Sequence, residues 1–379
     1  MAIILTAEDT LISNVENRQF GIINYGTDNK YPNYSKILAE NSAALKRTIA
    51  VYSDFVFGGG LNLNDNIFWK AKINPYGLRV DQLIRRIISD YAIHKGFAIQ
   101  VVYNAACEKI AFIPLPFETT RLAKPDDLGV IKQVKYYKDW SSARIYKEDI
   151  ISLDVYNNDP EIIYQQVENA GGWENYHGQI LYFGHNGEVK YPYCYFHAAL
   201  EDVITDIAAK KGRNANVSTN FMASHVVQLP FTFEDYASAT GKTREDVESD
   251  FKTTFTNFQS AENSAKLILI DNGLKDREGK MIEWKIDKLD IQNYDGIFEK
   301  TEQSCKDNIR GVYRVPEILL DAVSTGFSTE IMESAYNFYN NITGNDRQVI
   351  EETLMELFIN YYKPEILPGT YELNKLNYI

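Results

Sequence analysis

The sequence has few of the residues that build metal sites and disulfide frameworks. Its 379 residues include five histidines and three cysteines, Cys107, Cys194 and Cys305. The cysteines lie far apart, and no CxxC, HxH or HExxH spacing occurs. Three separated cysteines are typical of reduced thiols in a cytoplasmic product. We therefore predict no disulfide and no metal site.

Long apolar runs are also missing from the sequence. No stretch approaches the ~20 apolar residues that a membrane-spanning helix needs. The start, MAIILTAEDT, has no basic region, and its apolar run is too short for a signal peptide. We expect the protein to be made in a cytoplasm and to stay outside membranes.

Basic residues are fewer than acidic ones. Lys and Arg number 39 against 52 Asp and Glu, which gives a formal net charge of −13. Proteins that grip DNA phosphates are normally basic, because Lys and Arg displace the counterions of the DNA. The charge therefore argues against tight DNA binding, but it is compatible with a surface past which DNA slides.

Catalytic motifs are absent as well. Gly241–Thr243 reads GKT, but a phosphate-binding loop needs a glycine five residues before this one, where Tyr236 stands. We predict instead a helix N-terminus capped by Thr243. Gly58–Gly60 follows a helical pattern rather than a strand, so it predicts a turn and not a dinucleotide site. With no GxSxG either, we predict no catalytic residue, no cofactor and no enzyme activity.

Aromatic residues are abundant, with 26 Tyr and 19 Phe. Tyrosine combines a large apolar area with a polar tip and is enriched at protein interfaces. A scatter of core and surface tyrosines explains the count equally well.

The N-terminal half changes from helical to β periodicity. Apolar spacing predicts a helix over 34–57 that stops at Gly58–Gly60, and a second over 81–96 with Asp81 as N-cap and Gly96 as C-cap. From Phe97 to Tyr193 the pattern is rich in strands, with Asn186-Gly187 as a hairpin turn.

Helical periodicity returns in the C-terminal half. Strand-like runs at 225–230 and 266–273 interrupt it. Val315-Pro316 breaks one helix, because proline cannot continue the hydrogen-bond ladder. Ser328 or Thr329 can cap the next. The predicted helices cover 196–223, 243–259, 294–315, 328–342 and 347–362.

Three segments in this order resemble HK97-type bacteriophage portal proteins. The first is NKYPNYSKILAENSAALKRTIAVYSDFVFGGGL, and the second is LIRRIISDYAIHKGFAIQVVYN followed by IAFIPLPFETTRL. The third is NIRGVYRVPEILLD followed by GFSTEIMESAYNFYNNI. The resemblance covers about residues 30–345, and it rests on the ordered set because VPxxLL alone is weak.

The resemblance implies an α+β portal fold with a β-rich wing, long stem helices, an α/β clip insertion and a minimal C-terminal crown. In this division, 1–193 is the N-terminal wing region and 194–224 the first stem helix. The clip is 225–289, the second stem helix 290–314 and the tunnel loop 315–328. Residues 329–379 form the wing helix and a short crown region.

The function implied by the resemblance is that of a ring at one capsid vertex. The ring would be a dodecamer of about twelve subunits held by heterologous contacts. Its centre would be a DNA channel for viral genome packaging and ejection. The ring would also be the head–tail connector of the virion. Its partners would be the major capsid protein, the terminase large subunit, a head–tail adaptor and double-stranded DNA bound without sequence specificity. The location would be the virion, after assembly in the host cytoplasm.

The resemblance places the DNA-contacting site in the tunnel loop, after the helix break at Val315 and Pro316. Its candidate channel residues are Asp321, Ser324, Thr325, Gly326 and Phe327. Because Ile318, Leu319 and Leu320 are apolar, the segment can equally be a buried connection between helices.

Two other functions remain open on the sequence. One is a head–tail adaptor or another connector ring of the virion, although adaptors are usually shorter. The other is a DNA-processing enzyme, which would require a metal-binding carboxylate cluster or a true phosphate loop.

Overall fold

The computed structural model describes residues 15–61, 66–184, 191–218, 225–228, 232–257, 267–270, 285–288, 294–320 and 328–378. The chain forms two compact units. The first contains the residues up to Ile204 and those from Lys306 onward, and the second is Thr205–Cys305. Helices and sheets occur in both units, which confirms the predicted α+β class.

The secondary structure alternates along the chain. The helices are α1 (Tyr31–Asn41), α2 (Ala43–Phe57), α3 (Asn66–Lys70), α4 (Val80–His94), α5 (Pro160–Asn169), α6 (Leu200–Ser218), α7 (Phe233–Thr240), α8 (Arg244–Asn257), α9 (Tyr294–Val312), α10 (Thr329–Ile342) and α11 (Gly344–Phe358). The strands are β1 (Glu16–Asn17), β2 (Ile22–Ile23), β3 (Gly96–Tyr103), β4 (Lys109–Leu115), β5 (Thr120–Leu122), β6 (Gln133–Tyr136), β7 (Ile151–Val155), β8 (Gln179–Gly184), β9 (His225–Gln228), β10 (Leu267–Ile270) and β11 (Lys285–Lys288).

The first helix predicted from the sequence is two helices. Ser42 has an extended backbone, and its hydroxyl accepts a hydrogen bond from the Leu45 amide, so it caps α2. Serine favours such a cap over a helix interior because its side chain competes for backbone donors. The prediction of one helix over 34–57 was therefore wrong at its centre.

The ends of α4 also differ from the prediction. The helix begins at Val80 with Arg79 as N-cap, and Asp81 lies in its first turn. Its C-cap is Lys95, in the left-handed conformation, rather than Gly96. Gly96 begins β3 instead, where an added Cβ would lie 2.7 Å from the Phe183 carbonyl oxygen. The glycine thus allows close packing of neighbouring strands.

A six-stranded sheet forms the β-rich region of the first unit, in the order β4-β3-β8-β7-β6-β5. All neighbours are antiparallel except β7 and β8, which are parallel. The parallel pair requires a crossover, and α5 supplies it. We did not predict α5, although Asp159 followed by Pro160 is a helix-start signal. The predicted hairpin turn at Asn186-Gly187 lies outside the described residues.

The second unit has a three-stranded sheet, in the order β10-β9-β11, and the helix pair α7 and α8. The Asp246 amide donates to the Thr243 hydroxyl, which confirms Thr243 as the cap at the start of α8. Lys242 pairs with Asp250 at 2.6 Å. The GKT sequence is therefore a turn between helices.

The Arg121 guanidinium lies fully buried on β5, an edge strand of the six-stranded sheet, and among the described residues its acceptors are amide and carbonyl oxygens rather than a carboxylate. It donates to the Asn29 side-chain and backbone oxygens at 2.6 and 2.7 Å. It also donates to the carbonyls of Thr120 and Glu118 at 2.7 and 3.0 Å. Asn29 belongs to the first resemblance segment and Arg121 to the second, so the two segments meet here.

We predict that Arg121→Met lowers the free energy of unfolding by about 4 kcal/mol, because several buried carbonyls lose their donor. Trp140 lies 5.5 Å from the guanidinium, so tryptophan fluorescence during urea unfolding reports on this site. The exposed Arg144→Met is the matched control and should stay within about 0.5 kcal/mol of wild type. Equal stability of the two variants would contradict the role given to Arg121.

A second polar cluster, partly buried, joins α1, α4 and the segment before β5. The Asp90 carboxylate accepts from the Phe117 amide at 3.1 Å, and Lys36 pairs with Glu118. Burial, followed by the nearby Glu118 charge, raises the pKa of Asp90 from 3.8 to about 7. His94 is buried on the same helix, and burial lowers its pKa to about 4.

The Asp90 pKa predicts a pH-dependent stability. Between pH 4 and 7 the unfolded chain has lost this proton while the folded chain retains it, so the contribution of Asp90 to stability falls as pH rises through that window, whereas buried His94 acts in the opposite direction. Asp90→Asn has no proton to lose and should exceed wild type by about 2 kcal/mol at pH 8. The difference should vanish below pH 4 in urea titrations. A pH-independent difference, or the same effect in the exposed Asp127→Asn, would refute the assignment.

Candidate functional site

The candidate site is the junction between α9 and α10, which contains the residues singled out from the third segment. Helix α9 ends at Val312, and Arg314 adopts a left-handed conformation with φ of 54°. Val315 is buried, and Pro316 precedes a single 3-10 turn, Glu317–Leu319. The chain thus turns sharply where Val315 and Pro316 were expected to break the helix.

Tyr313 fixes the first end of the junction to the core of its unit. Its hydroxyl donates to the Ala92 carbonyl at 2.8 Å, and its own carbonyl accepts from the Tyr339 hydroxyl at 3.2 Å. The ring stacks on Tyr195, with ring centres 4.5 Å apart, and meets Tyr52 edge-on. Helices α2, α4 and α10 therefore all hold this one residue.

Polar contacts fix the rest of the junction. Arg47 on α2 donates to the Leu320 carbonyl. Arg310 pairs with Asp307 at 3.1 Å and lies 3.9 Å from Glu317. Ser328 caps α10 by accepting from the Ile331 amide at 3.3 Å. The first end of the loop is thus bonded to α2, and the second end is capped locally at the start of α10.

The predicted channel residues lie between these anchors. Asp321, Ser324, Thr325, Gly326 and Phe327 fall outside the described residues. The apolar residues before them, Ile318, Leu319 and Leu320, are half-buried. Neither Arg47 nor Tyr339 was predicted to anchor this junction. Tyr313 stands inside the quoted third segment, but spacing alone could not show what it binds.

Cysteine and histidine approach each other at Cys194 and His197. The Tyr31 hydroxyl lies 3.3 Å from the Cys194 sulfur and 3.0 Å from His197 Nδ1. Burial raises the pKa of the Cys194 thiol to about 11 and lowers the pKa of His197. A nucleophilic cysteine needs a lowered pKa, so this group is arranged for packing rather than for attack.

The described residues contain no cluster of three or more His, Cys, Asp or Glu that could hold a metal ion. Within the same residues, no helix is long and apolar enough to cross a membrane.

No family model matches the chain, and no curated protein matches it. Several solved structures do match the chain. A chain of the virion of a native gene transfer agent particle is 14% identical over 86% of this chain and 81% of that chain, with a TM-score of 0.52. A chain of the native particle's neck, computed with C12 symmetry, is 14% identical over 91% of this chain and 84% of that chain, with a TM-score of 0.50.

A HK97 family phage portal protein from Corynebacterium diphtheriae is also among the matching structures. It is 10% identical over 78% of this chain and 81% of that chain, with a TM-score of 0.40. The family that the sequence resembles is thus represented among the matching structures. The shared fold rests on the two gene transfer agent chains.

We predict that Tyr313→Phe destabilises the first unit by about 1 kcal/mol, because the buried Ala92 carbonyl loses a donor while the ring packing remains. Hydrogen exchange should then rise in the last turns of α10, around Tyr339, since Tyr339 bonds the same residue. The control is Tyr76→Phe, whose ring is exposed. No change in exchange at α10 would show that Tyr313 does not anchor the junction.

Proposed function

We propose that the chain is the subunit of a portal-type ring at one vertex of a viral capsid. The ring would form the channel for genome packaging and ejection, and a docking platform for terminase and the neck. The observation that carries this is the fold, shared over 86–91% of the chain with chains of gene transfer agent particles, one in a neck computed with C12 symmetry. The ordered sequence segments support it independently.

The division of the chain supports the proposed parts. Helix α6 begins in the first unit and continues into the second, and α9 runs back from the second unit into the first. Two helices that flank an α/β unit suit stem helices around a clip at 225–289. The six-stranded sheet and the N-terminal helices suit the wing.

The site geometry supports a role for the loop at 315–328 in the channel. A loop that contacts DNA as it moves through the channel needs ends that keep their position while the DNA passes. Tyr313, Arg47 and the Ser328 cap supply such ends. The net charge of −13 per subunit would repel phosphates along the wall, so DNA could slide rather than adhere.

A second candidate is another ring of the virion neck, such as a head–tail adaptor. The reason to keep it is that the matching structure with C12 symmetry is described as a neck. Labelling the protein within purified virions separates the two functions, because a portal lies on the capsid side of the connector.

The test begins with assembly. We expect sedimentation at micromolar concentration to show a large ring, and electron microscopy to show a central channel. Deleting Ala322–Gly326 should leave the ring intact but reduce DNA packaging or retention, because the anchors lie outside the deletion. Replacing Ala322–Thr325 by glycine, beside the native Gly326, keeps the loop length and serves as the matched variant.

Two outcomes would overturn the proposal or part of it. A stable monomer under all salt conditions would exclude the ring. If the deletion abolishes ring assembly while Ser324→Ala and Thr325→Ala package normally, the loop is structural and its channel role is wrong.

A further inference from the structure

The glycine turn that follows α2 lies directly against a second stretch of backbone. The Gly59 amide donates to the Asn374 carbonyl at 2.8 Å, and the Asn374 amide donates to the Gly60 carbonyl at 2.8 Å. The two backbones thus form a short antiparallel bridge. Residues 371–378, here called the strap, therefore bind this turn through peptide groups.

Glycine is required in the turn because the strap passes so close to it. A Cβ added at Gly58 would collide with the Asn374 carbonyl oxygen, and Gly58 has a φ of 60°, which other residues rarely adopt. The turn is thus a slot that admits a second backbone. This accounts for the glycines of a motif that the sequence showed only as the end of a helix.

Side chains of α10 and α11 extend the slot along the strap. The Asn340 amide nitrogen donates to the Leu376 carbonyl at 2.8 Å, and the Asn340 oxygen accepts from the Leu376 amide at 3.2 Å. Glu351 accepts from the Leu373 amide at 2.7 Å. The Leu373 side chain is buried, so the slot also provides an apolar pocket. Backbone bonds combined with a side-chain pocket are the pattern by which proteins bind extended peptides.

Helix α10 depends on the strap because few of its residues pack against the core. Its buried residues are Tyr339 and Asn340, both in its last turns. The Arg347 guanidinium donates to the same Asn340 oxygen that the strap uses, at 3.1 Å. The Tyr336 ring meets the Tyr378 ring of the strap, with centres 5.5 Å apart. Release of the strap would therefore remove the acceptor of the Asn340 amide and a ring contact of α10.

We propose that this slot is a binding site for an extended peptide, filled here by the strap of the same chain, and that its occupation holds α10 in place. Leu373 is the one buried residue of the strap, so the strap can leave and rebind while the rest of the unit stays folded. Because α10 begins directly after the candidate loop, the bound strap also keeps the second end of that loop in position. The inference concerns the single chain and does not depend on ring formation.

The first experiment compares Gly58→Ala with Gly77→Ala in the whole chain. Both glycines have a positive φ, but a Cβ added at Gly77 meets nothing within 4 Å. Both variants therefore carry the backbone strain of alanine at positive φ, and only Gly58→Ala also displaces the strap. We expect hydrogen exchange to rise in the strap and in α10 for Gly58→Ala alone. Unchanged exchange in the strap would exclude the slot, and a released strap beside an unchanged α10 would show that the strap does not hold the helix.

The second experiment supplies the strap as a separate peptide. A chain that ends at Thr370 should bind a fluorescent peptide of residues 371–378, measured by polarisation, and binding should lower the hydrogen exchange of α10. If the shortened chain does not fold alone, the peptide should refold it. A chain that neither binds the native peptide nor refolds with it would refute the slot.

Two modified peptides test recognition of the backbone. Methylation of the Asn374 amide nitrogen removes its hydrogen bond to Gly60 and should weaken binding by about ten-fold. The matched control is Asn374→Ala in the peptide, which changes an exposed side chain and should bind like the native peptide. Equal binding of the methylated and native peptides would show that the slot does not bind the strap through its backbone.

Discussion

The fold of the first unit depends on a buried guanidinium, that of Arg121, whose hydrogen bonds in the described residues go to amide and carbonyl oxygens. Burial lowers the pKa of Arg121 because the charge has left water, and the nearby tyrosines and Glu118 offset this only in part. Backbone and amide oxygens solvate it instead, in the fork geometry that a guanidinium can satisfy and an ammonium cannot. The rings of Tyr25 and Trp140 face it at 5.7 and 5.5 Å.

The geometry around Arg121 fixes how the chain enters the fold. Asn29 has a positive φ of 64°, and its side chain accepts from both Arg121 and the Tyr25 amide. Tyr25 stacks on Tyr191, with ring centres 4.1 Å apart. The turn before α1 is thereby fixed to the sheet, and α1 leads directly into α2. Since α2 holds both Tyr313 and Leu320, the position of the candidate loop depends on that entry.

Periodicity predicted most helices but not the contacts that arrange them. The starts of α8 and α10 could be predicted from their N-caps, Thr243 and Ser328, because a capping hydrogen bond is local in sequence. The single helix over 34–57 was wrong because Ser42 suits both a helix surface and a cap, and tertiary packing selects between them. Helix α5 was overlooked within a region of β periodicity, although its Asp-Pro start was visible.

The candidate site likewise has local features that the sequence predicts and long-range contacts that it does not. Val315 and Pro316 indicated that a helix ends here, because proline cannot continue the helix, but α9 ends three residues earlier than predicted, at Val312. The hydrogen-bond partners of Tyr313 could not be predicted from the sequence, since Ala92 and Tyr339 lie 221 and 26 residues away along the chain. Long-range hydrogen bonds leave no periodic signal, so the sequence could name the loop but not what anchors it.

Solubility and ring assembly place opposing demands on the surface of the subunit. A subunit must stay dispersed until its ring forms, and a charge of −13 favours that by repulsion between copies. An extensive apolar surface would defeat that repulsion, because large exposed apolar patches promote association. Many of the aromatic side chains accordingly pack in the interior, around Tyr25, Tyr52 and Tyr313, all of which are buried.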